Sequence, residues 1–220
     1  FGIKPFNNKQ CLVFGDQKLI AMNELPLAGL HNALNYLSAL ALGLCAQWSL
    51  TEMVKHFQSF KGLSHRCQHV SSNDGLTWIN DSKATNVGAT LAAIEGIAAT
   101  KDDNSQIILI AGGEGKGADF SPLAKAINKH VKHVITLGKD GDKIGKLTSN
   151  PSKVSNLKDA VIKARSLASE TDIVLLSPAC ASIDMFRNFV ERGQAFIDSV
   201  AAIQDKDSPM ITEDKNTFNV

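Results

Sequence analysis

Two stretches of this sequence, Ile107-Ile-Leu-Ile110 and Ile173-Val-Leu-Leu176, are apolar at every position. A strand with one wet face alternates apolar and polar residues, so an unbroken apolar strand requires cover on both faces. The segments between these runs supply that cover. Val87, Leu91, Ile94 and Ala98 recur at helical spacing behind Asn86, a residue suited to capping a helix start. Ser121-Pro122 announces another helix, and a short one is expected near Asp140–Leu147. Further helices are predicted over Leu157–Ala168 and from about Ser182 to Ile203. In the last of these Ile183, Phe186, Val190, Phe196, Ile197 and Val200 should face inward. With strands at Ile107–Ala111, Val131–Leu137 and Ile173–Leu176, the pattern from Gly62 onward is a doubly wound α/β domain with a mostly parallel sheet. A hairpin, His65–Val70 and Leu76–Asn80 around Asn73-Asp74-Gly75, opens it.

The first 62 residues read differently. Cys11-Leu-Val-Phe14 and Leu19-Ile-Ala-Met22 flank Gly15-Asp16-Gln17 as short strands of a hairpin. A helix from about Gly29 to Leu44 places Leu30, Leu34, Leu37, Ala41 and Leu44 on one stripe, and a second follows Ser49. So small a set buries little by itself, and the segment reads as the tail of a larger domain. The first residue, Phe1, in place of methionine fits a fragment. Residues from about Gln204 are polar and without periodicity, a tail expected to fray.

Composition removes several classes. Twenty-three basic against 22 acidic residues leave no electrostatic footprint for nucleic acid or a membrane surface. No apolar run approaches the roughly 20 residues of a membrane span, and no signal peptide is legible. Cys11, Cys45, Cys67 and Cys180 lack the spacing of a disulfide framework, which predicts reduced thiols and a cytoplasmic protein.

Ligands of open α/β sheets bind beyond the carboxyl ends of the strands, and three chemically loaded segments fall there. Asn80-Asp-Ser-Lys-Ala-Thr-Asn86 carries Asp81 and Lys83, which are either functional or simply solvated beside a cap. Ala111-Gly-Gly-Glu-Gly-Lys-Gly-Ala-Asp119 is no Walker A loop, because Ile110 and Gly117 occupy its first glycine and its hydroxyl positions. Its Gly113-x-Gly115-x-x-Ala118 matches the dinucleotide fingerprint, with Asp140 near the end of the next strand. That fingerprint needs its last small residue inside a helix, whereas Ser121-Pro122 puts the helix start later. A glycine loop with Lys116 still suits an anion. Ser177-Pro-Ala-Cys-Ala-Ser182-Ile183 leads into the last helix, where free N–H groups and the helix dipole favour a carboxylate or phosphate; small residues there also permit close packing. Cys180 has no activating neighbour in sequence and reads as a packed thiol. His65, Cys67 and His69 alternate on one expected strand face; without a fourth ligand at zinc spacing, a half-buried face is the simpler reading. The amides of Asn32 and Asn35, behind His31, share one helix face and suit either an adenine edge or a cap.

Leu30-His-Asn-Ala-Leu-Asn35, Gly62-Leu-Ser-His-Arg66, Asn80–Asn86, Gly112–Phe120 and Leu176-Ser-Pro-Ala-Cys-Ala-Ser182 together closely resemble the D-glutamate-adding branch of the Mur ligase family, over about residues 20–203. Ser64 departs from the usual proline. The resemblance implies that residues 1–62 end a central ATPase domain, that 63–203 form a Rossmann-like amino-acid-binding domain, and that 204–220 are a polar tail. It implies ATP-dependent joining of D-glutamate to UDP-N-acetylmuramoyl-L-alanine through an acyl phosphate, in a monomeric enzyme of peptidoglycan precursor synthesis. Asn32, Asn35, Arg66 and Asp81 are implied for ATP, Lys83 and Asp81 for catalysis, and Thr85, Lys116, Ser182, Ile183 and Phe189 for D-glutamate. The family's P-loop, its carbamylated lysine and most Mg2+ ligands are implied to lie upstream of Phe1, so this chain alone should not turn over. Rival readings are a folylpolyglutamate synthase or sister Mur ligase, a nonenzymatic binding module, and a nicotinamide oxidoreductase.

Overall fold

A computed structural model describes residues 1–27, 30–60, 62–99, 101–102 and 104–207, without the side chains of His31 and residues 204–207. The expected helix start at Gly29, the His31 side chain and the tail beyond residue 207 lie outside the described residues. Six strands form the main sheet in the order β4(Gln68–Val70), β5(Thr77–Asn80), β9(Ile173–Leu176), β6(Ile107–Gly112), β7(Val131–Leu137), β8(Ser152–Lys153). β4 pairs antiparallel with β5, and every other pairing is parallel.

The unbroken apolar runs explain the layering. On β6, Ile107, Leu109 and Ala111 join a core with Ile94 of α3(Val87–Ala98), Leu123 and Ile127 of α4(Leu123–His130), and Ile144 of α5(Gly141–Gly145). Ile108 and Ile110 point the other way, into a core with Val161 of α6(Leu157–Leu167) and Phe196 and Val200 of α7(Phe189–Asp207). On β9 the same alternation divides Ile173 and Leu175 from Val174 and Leu176. Each run is thus buried on both faces, as an internal parallel strand must be.

β9 is last in sequence yet lies between β5 and β6, so the carboxyl ends of three central strands converge on one edge. The loops 81–86, 113–119 and 177–183 leave from that edge. At the opposite end Asp172, only 2% exposed, accepts from the Gln106 and Ser169 N–H groups and pairs with Lys132 Nζ at 2.8 Å, while its carbonyl accepts from Thr77. One carboxylate therefore holds the entrances of three strands in register.

A separate sheet orders β1(Gly2–Phe6), β2(Lys9–Phe14) and β3(Gln17–Ala21) in antiparallel register. Asn7 and Asn8, both at positive φ, make the first turn, a conformation that asparagine tolerates. This sheet packs on α1(Leu30–Cys45) and α2(Leu50–Phe57), the latter capped by Ser49. Among the described residues no helix is long and apolar enough to cross a membrane.

Four expectations are corrected. α1 buries Ala33, Tyr36, Leu37 and Leu40, whereas Leu30, Leu34 and Leu44 are exposed. The helix is apolar nearly all round, so spacing could not select the face. The last helix begins at Phe189 rather than Ser182, and it runs on to Asp207 where a fraying tail was expected. Met185 and Phe186 close turns onto the Ser182 carbonyl, and Ile183 and Val190 are exposed instead of buried. Finally, His65 and Cys67 precede β4 and both adopt positive φ, so with His69 they share no strand face. No group of three His, Cys, Asp or Glu among the described residues could hold a metal.

Burial pushes the Asp172 carboxyl up, but Lys132 and the Ser169 and Gln106 N–H groups prevail and hold it below its usual value of 3.8. Its contribution is therefore complete above that value and lost as pH falls through the lower folded one. Asp172→Ala should cost about 2–4 kcal/mol at pH 7. Urea unfolding should show this gap narrowing in strong acid; a gap independent of pH would contradict the role.

Candidate functional site

A cavity of about 1000 Å³ opens between α1, α2 and the carboxyl edge of the main sheet. Asn32, Asn35, Arg66, Asp81 and Lys83 all line it, so five of the sequence-predicted residues converge on one space. Its remaining wall is largely apolar and includes Tyr36, Trp48, Met53, Phe57 and Phe60. Those residues carry no motif, and sequence reasoning missed them. Thr85, Lys116, Ser182, Ile183 and Phe189 do not line it. Phe189 adjoins it nonetheless: Lys83 Nζ lies 4.1 Å from the centre of its ring, a cation–π contact that positions the ammonium.

Backbone geometry makes the loop at the end of β5. Asn80 is fully buried; its amide N–H2 donates to the Gly193 carbonyl and meets His65 Nδ1, both at 3.0 Å, and its Oδ1 accepts from the Ser82 N–H. Nδ1 of His65 is thereby an acceptor and its proton sits on Nε2. Burial also lowers the His65 pKa, keeping the ring neutral. Asp81 accepts from Ser177 Oγ at 2.8 Å and from the Cys67 N–H at 3.2 Å. Burial drives its carboxyl up to about 6, against the pull of Ser177, Cys67 and the Arg66 guanidinium. The Cys67 thiol is pushed up to about 12 by burial and by Asp81.

The glycine loop folds against the other two. Gly112 and Gly113 both take positive φ, and a Cβ on either would strike backbone: the Leu137 carbonyl for Gly112, the Ala181 carbonyl for Gly113. Glu114 and Ala181 exchange two backbone hydrogen bonds of 2.9 Å, joining this loop to 177–183. Asp140, the acidic residue of the dinucleotide fingerprint, accepts from the Gly115 N–H at 2.8 Å and pairs with Lys143. It supports the loop, and α4 begins only at Leu123, so the fingerprint geometry is not formed. Lys116 is exposed with φ of 52° at the tip.

Sequence reasoning also overlooked Arg192. The residue is 3% exposed, and its guanidinium donates to Ser82 Oγ (3.0 Å), the Ser82 carbonyl (2.9 Å) and, from both terminal nitrogens, the Cys180 carbonyl (3.1 Å). Ser82 Oγ in turn donates to the Phe189 carbonyl. An arginine inside an amphipathic helix gives no sequence signal beyond its position. Cys180 is fully buried and its thiol is pushed up to about 12, a packed residue rather than a nucleophile. With the last helix starting at Phe189, the N–H groups of Ser182 and Ile183 belong to a loop, not a helix end. Among the described residues neither serves a hydrogen bond within the chain.

Because the folded pKa of Asp81 lies above its ordinary 3.8, its ionisation opposes folding: the penalty is absent below that value and complete above about 6. Asp81→Asn should therefore stabilise the chain at pH 7 by about 1–3 kcal/mol and give no gain at pH 3. Thermal melts at the two pH values check this, and an equal gain at both would refute it.

A family profile described as Mur ligase, glutamate ligase domain, matches residues 65–180. A UDP-N-acetylmuramoylalanine–D-glutamate ligase of Colwellia psychrerythraea is 56% identical over 93% of this chain and 44% of its own length. The enzyme of that name from Pseudomonas fluorescens is 45% identical over 91% of the chain and 45% of its own. The chain thus spans about half the length of the curated relatives it matches. Among solved structures, the folylpolyglutamate synthase of Mycobacterium tuberculosis complexed with ADP superposes with a TM-score of 0.61 at 18% identity, over 83% of this chain and 42% of that one. The UDP-N-acetylmuramate–alanine ligase of Thermotoga maritima gives 0.59 at 17%, over 81% and 40%. At such identities these two show the shared α/β fold alone. The profile match over more than half of the residues decides the family: the chain belongs to the Mur ligases.

Proposed function

We propose that this chain supplies the D-glutamate site and part of the nucleotide site of an ATP-dependent ligase that joins D-glutamate to UDP-N-acetylmuramoyl-L-alanine. The observation that carries this reading is the convergence of Asn32, Asn35, Arg66, Asp81 and Lys83 on one cavity, beside the loops that hold Lys116 and Ser182. The relatives at 56% and 45% identity bear the name of that ligase, which favours D-glutamate over the acceptors of the sister enzymes.

In this reading Asn32 and Asn35 face the adenine, whose edge alternates donor and acceptor as an amide does. Asp81 accepts from ribose hydroxyls and Arg66 lies over the nucleotide. Lys83, held against the Phe189 ring, offsets the negative charge that develops as a phosphoryl group passes to the substrate carboxylate and as the amine attacks the acyl phosphate. D-Glutamate brings two carboxylates. Lys116, Thr85 and the free N–H groups of Ser182 and Ile183 bind them, with Phe189 beside the carbon chain. The same Lys83–Phe189 contact brings the two half-sites together. Closure of the cavity would then exclude the water that competes for an acyl phosphate. Magnesium is implied by the family, but the described residues do not offer it a ligand set, so no step here is assigned to it. Turnover in this reading also requires the family's phosphate-binding loop, in a monomeric cytoplasmic enzyme.

The test is phosphate release by an enzyme of the relatives' full length carrying this chain, given ATP, magnesium, UDP-N-acetylmuramoyl-L-alanine and either glutamate isomer. Release should require the D isomer; release with neither, or equally with both, would refute the assignment. In that enzyme Lys116→Ala should raise KM for D-glutamate by about 10- to 100-fold and leave KM for ATP within about twofold, as the loss of one charge-assisted hydrogen bond predicts. An unchanged KM for D-glutamate would remove Lys116 from the cradle.

A further inference from the structure

β5 and β9 are parallel neighbours with Asn80 opposite Leu176, so the residues that follow them, Asp81 and Ser177, leave the sheet side by side. Asp81 faces the cavity, while Ser177 opens the loop that carries Ser182 and Ile183. Ser177 is fully buried. Its Oγ lies 2.8 Å from Asp81 Oδ2 and 3.0 Å from Thr90 Oγ1, and Thr90 Oγ1 lies 3.3 Å from the Ser177 carbonyl. Thr90 is itself fully buried on α3.

A serine hydroxyl has one proton and cannot donate to Asp81 and Thr90 together. With Asp81 ionised, the charge-assisted bond is the stronger, so the proton points to Asp81 and Thr90 donates to Ser177. With Asp81 protonated, the carboxyl itself donates, and the Ser177 proton turns to Thr90. The hydroxyl therefore has two settings, chosen by the charge on Asp81, and it sits at the root of loop 177–183.

We infer that Ser177 is a positioning residue that couples the charge state of Asp81, in the nucleotide half-site, to the loop presenting the Ser182 and Ile183 N–H groups to the amino acid. This rests on the reading of those two half-sites given above. The other charged or titratable groups near Asp81 are His65, Arg66 and Cys67 before β4, Lys83 on its own loop, Glu52 and His56 across the cavity on α2, and Arg192 behind Ser82. Arg192 also bridges to loop 177–183, but through the neutral Ser82 and Cys180 carbonyls, so only Ser177 joins the Asp81 carboxylate itself to that loop.

Coupling of this kind is reciprocal. A ligand that favours the loop as set by ionised Asp81 must lower the pH at which Asp81 titrates. The direct field of a ligand with net charge −1 would raise it, so the sign separates the two effects.

The experiment follows the Asp81 carboxyl carbon by NMR across pH in the intact 220-residue chain, with Asp81→Asn giving the assignment, without and with saturating D-glutamate. Wild type should titrate near 6 and move down by about 0.5 pH unit or more on adding D-glutamate. Ser177→Ala should titrate about one pH unit higher than wild type, show no downward response, and bind D-glutamate about 5-fold more weakly at pH 7. Thr90→Val, which leaves the Ser177–Asp81 bond but removes the partner of the second setting, should titrate below wild type and lose most of the downward response, and it serves if the alanine variant does not fold. Responses equal to wild type in Ser177→Ala or Thr90→Val, or no downward response in wild type, would overturn the coupling while leaving the functional reading intact. If D-glutamate perturbs nothing in the wild-type chain, the functional reading fails and the coupling with it.

Discussion

Arg192 reaches from the first turns of α7 into the space between two loops and spends its donors on the Ser82 hydroxyl and carbonyl and the Cys180 carbonyl. No carboxylate pairs with it among the described residues, and burial lowers its pKa to about 10, so it stays charged at neutral pH. A buried cation whose hydrogen bonds all go to neutral oxygens is held at an electrostatic cost, and it persists where those oxygens are fixed. Ser82 belongs to the Asp81–Asn86 loop and Cys180 to the 177–183 loop. Gly113, whose Cβ position would lie 3.4 Å from an Arg192 nitrogen, brings in the third. One side chain thus ties together two of the three segments of the candidate site, and the Glu114–Ala181 backbone pair attaches the third.

The sheet reached the page in the sequence for a simple reason. Ile107–Ile110 and Ile173–Leu176 leave no polar position for a wet face, and a strand of that kind has few homes. Helix faces were less legible: α1 offers apolar residues on several sides, and only the packing against β2, β3 and α2 shows that Tyr36 and Leu40 are the buried ones. The last helix was misjudged because Ser182–Asn188 has helical spacing but spends Ser182 and its neighbours on turns. Of the candidate site, the loop strings stood out at strand ends, each with a second reading as a solvated cap or close packing. The structure brings Asp81 and Lys83 onto one cavity with Asn32, Asn35 and Arg66. The apolar wall of the cavity and Arg192 did not stand out, because a core-like Phe57 or a mid-helix arginine looks the same wherever it lies.

The same architecture accounts for the division of labour in the proposed reaction. Asn32 and Asn35 come from α1 and the acidic and basic partners from the edge of the main sheet, so the proposed nucleotide half-site would be completed only when those elements face one another. Lys83 on the Phe189 ring and the Ser177–Asp81 bond both tie that half-site to the loops assigned to glutamate. Binding on one side therefore has short physical routes to the other, through a hydroxyl, a ring and a guanidinium rather than through a long lever.

The central claim is that the loops 81–86, 113–119 and 177–183 form a single amino-acid site. Amide mapping of the 15N-labelled chain during titration with D-glutamate, and separately with L-glutamate, tests it most directly. The account predicts saturable perturbation of the Thr85, Lys116, Ser182 and Ile183 amides by the D isomer, with the L isomer markedly weaker. Perturbation confined to other surfaces, or identical responses to both isomers, would contradict it.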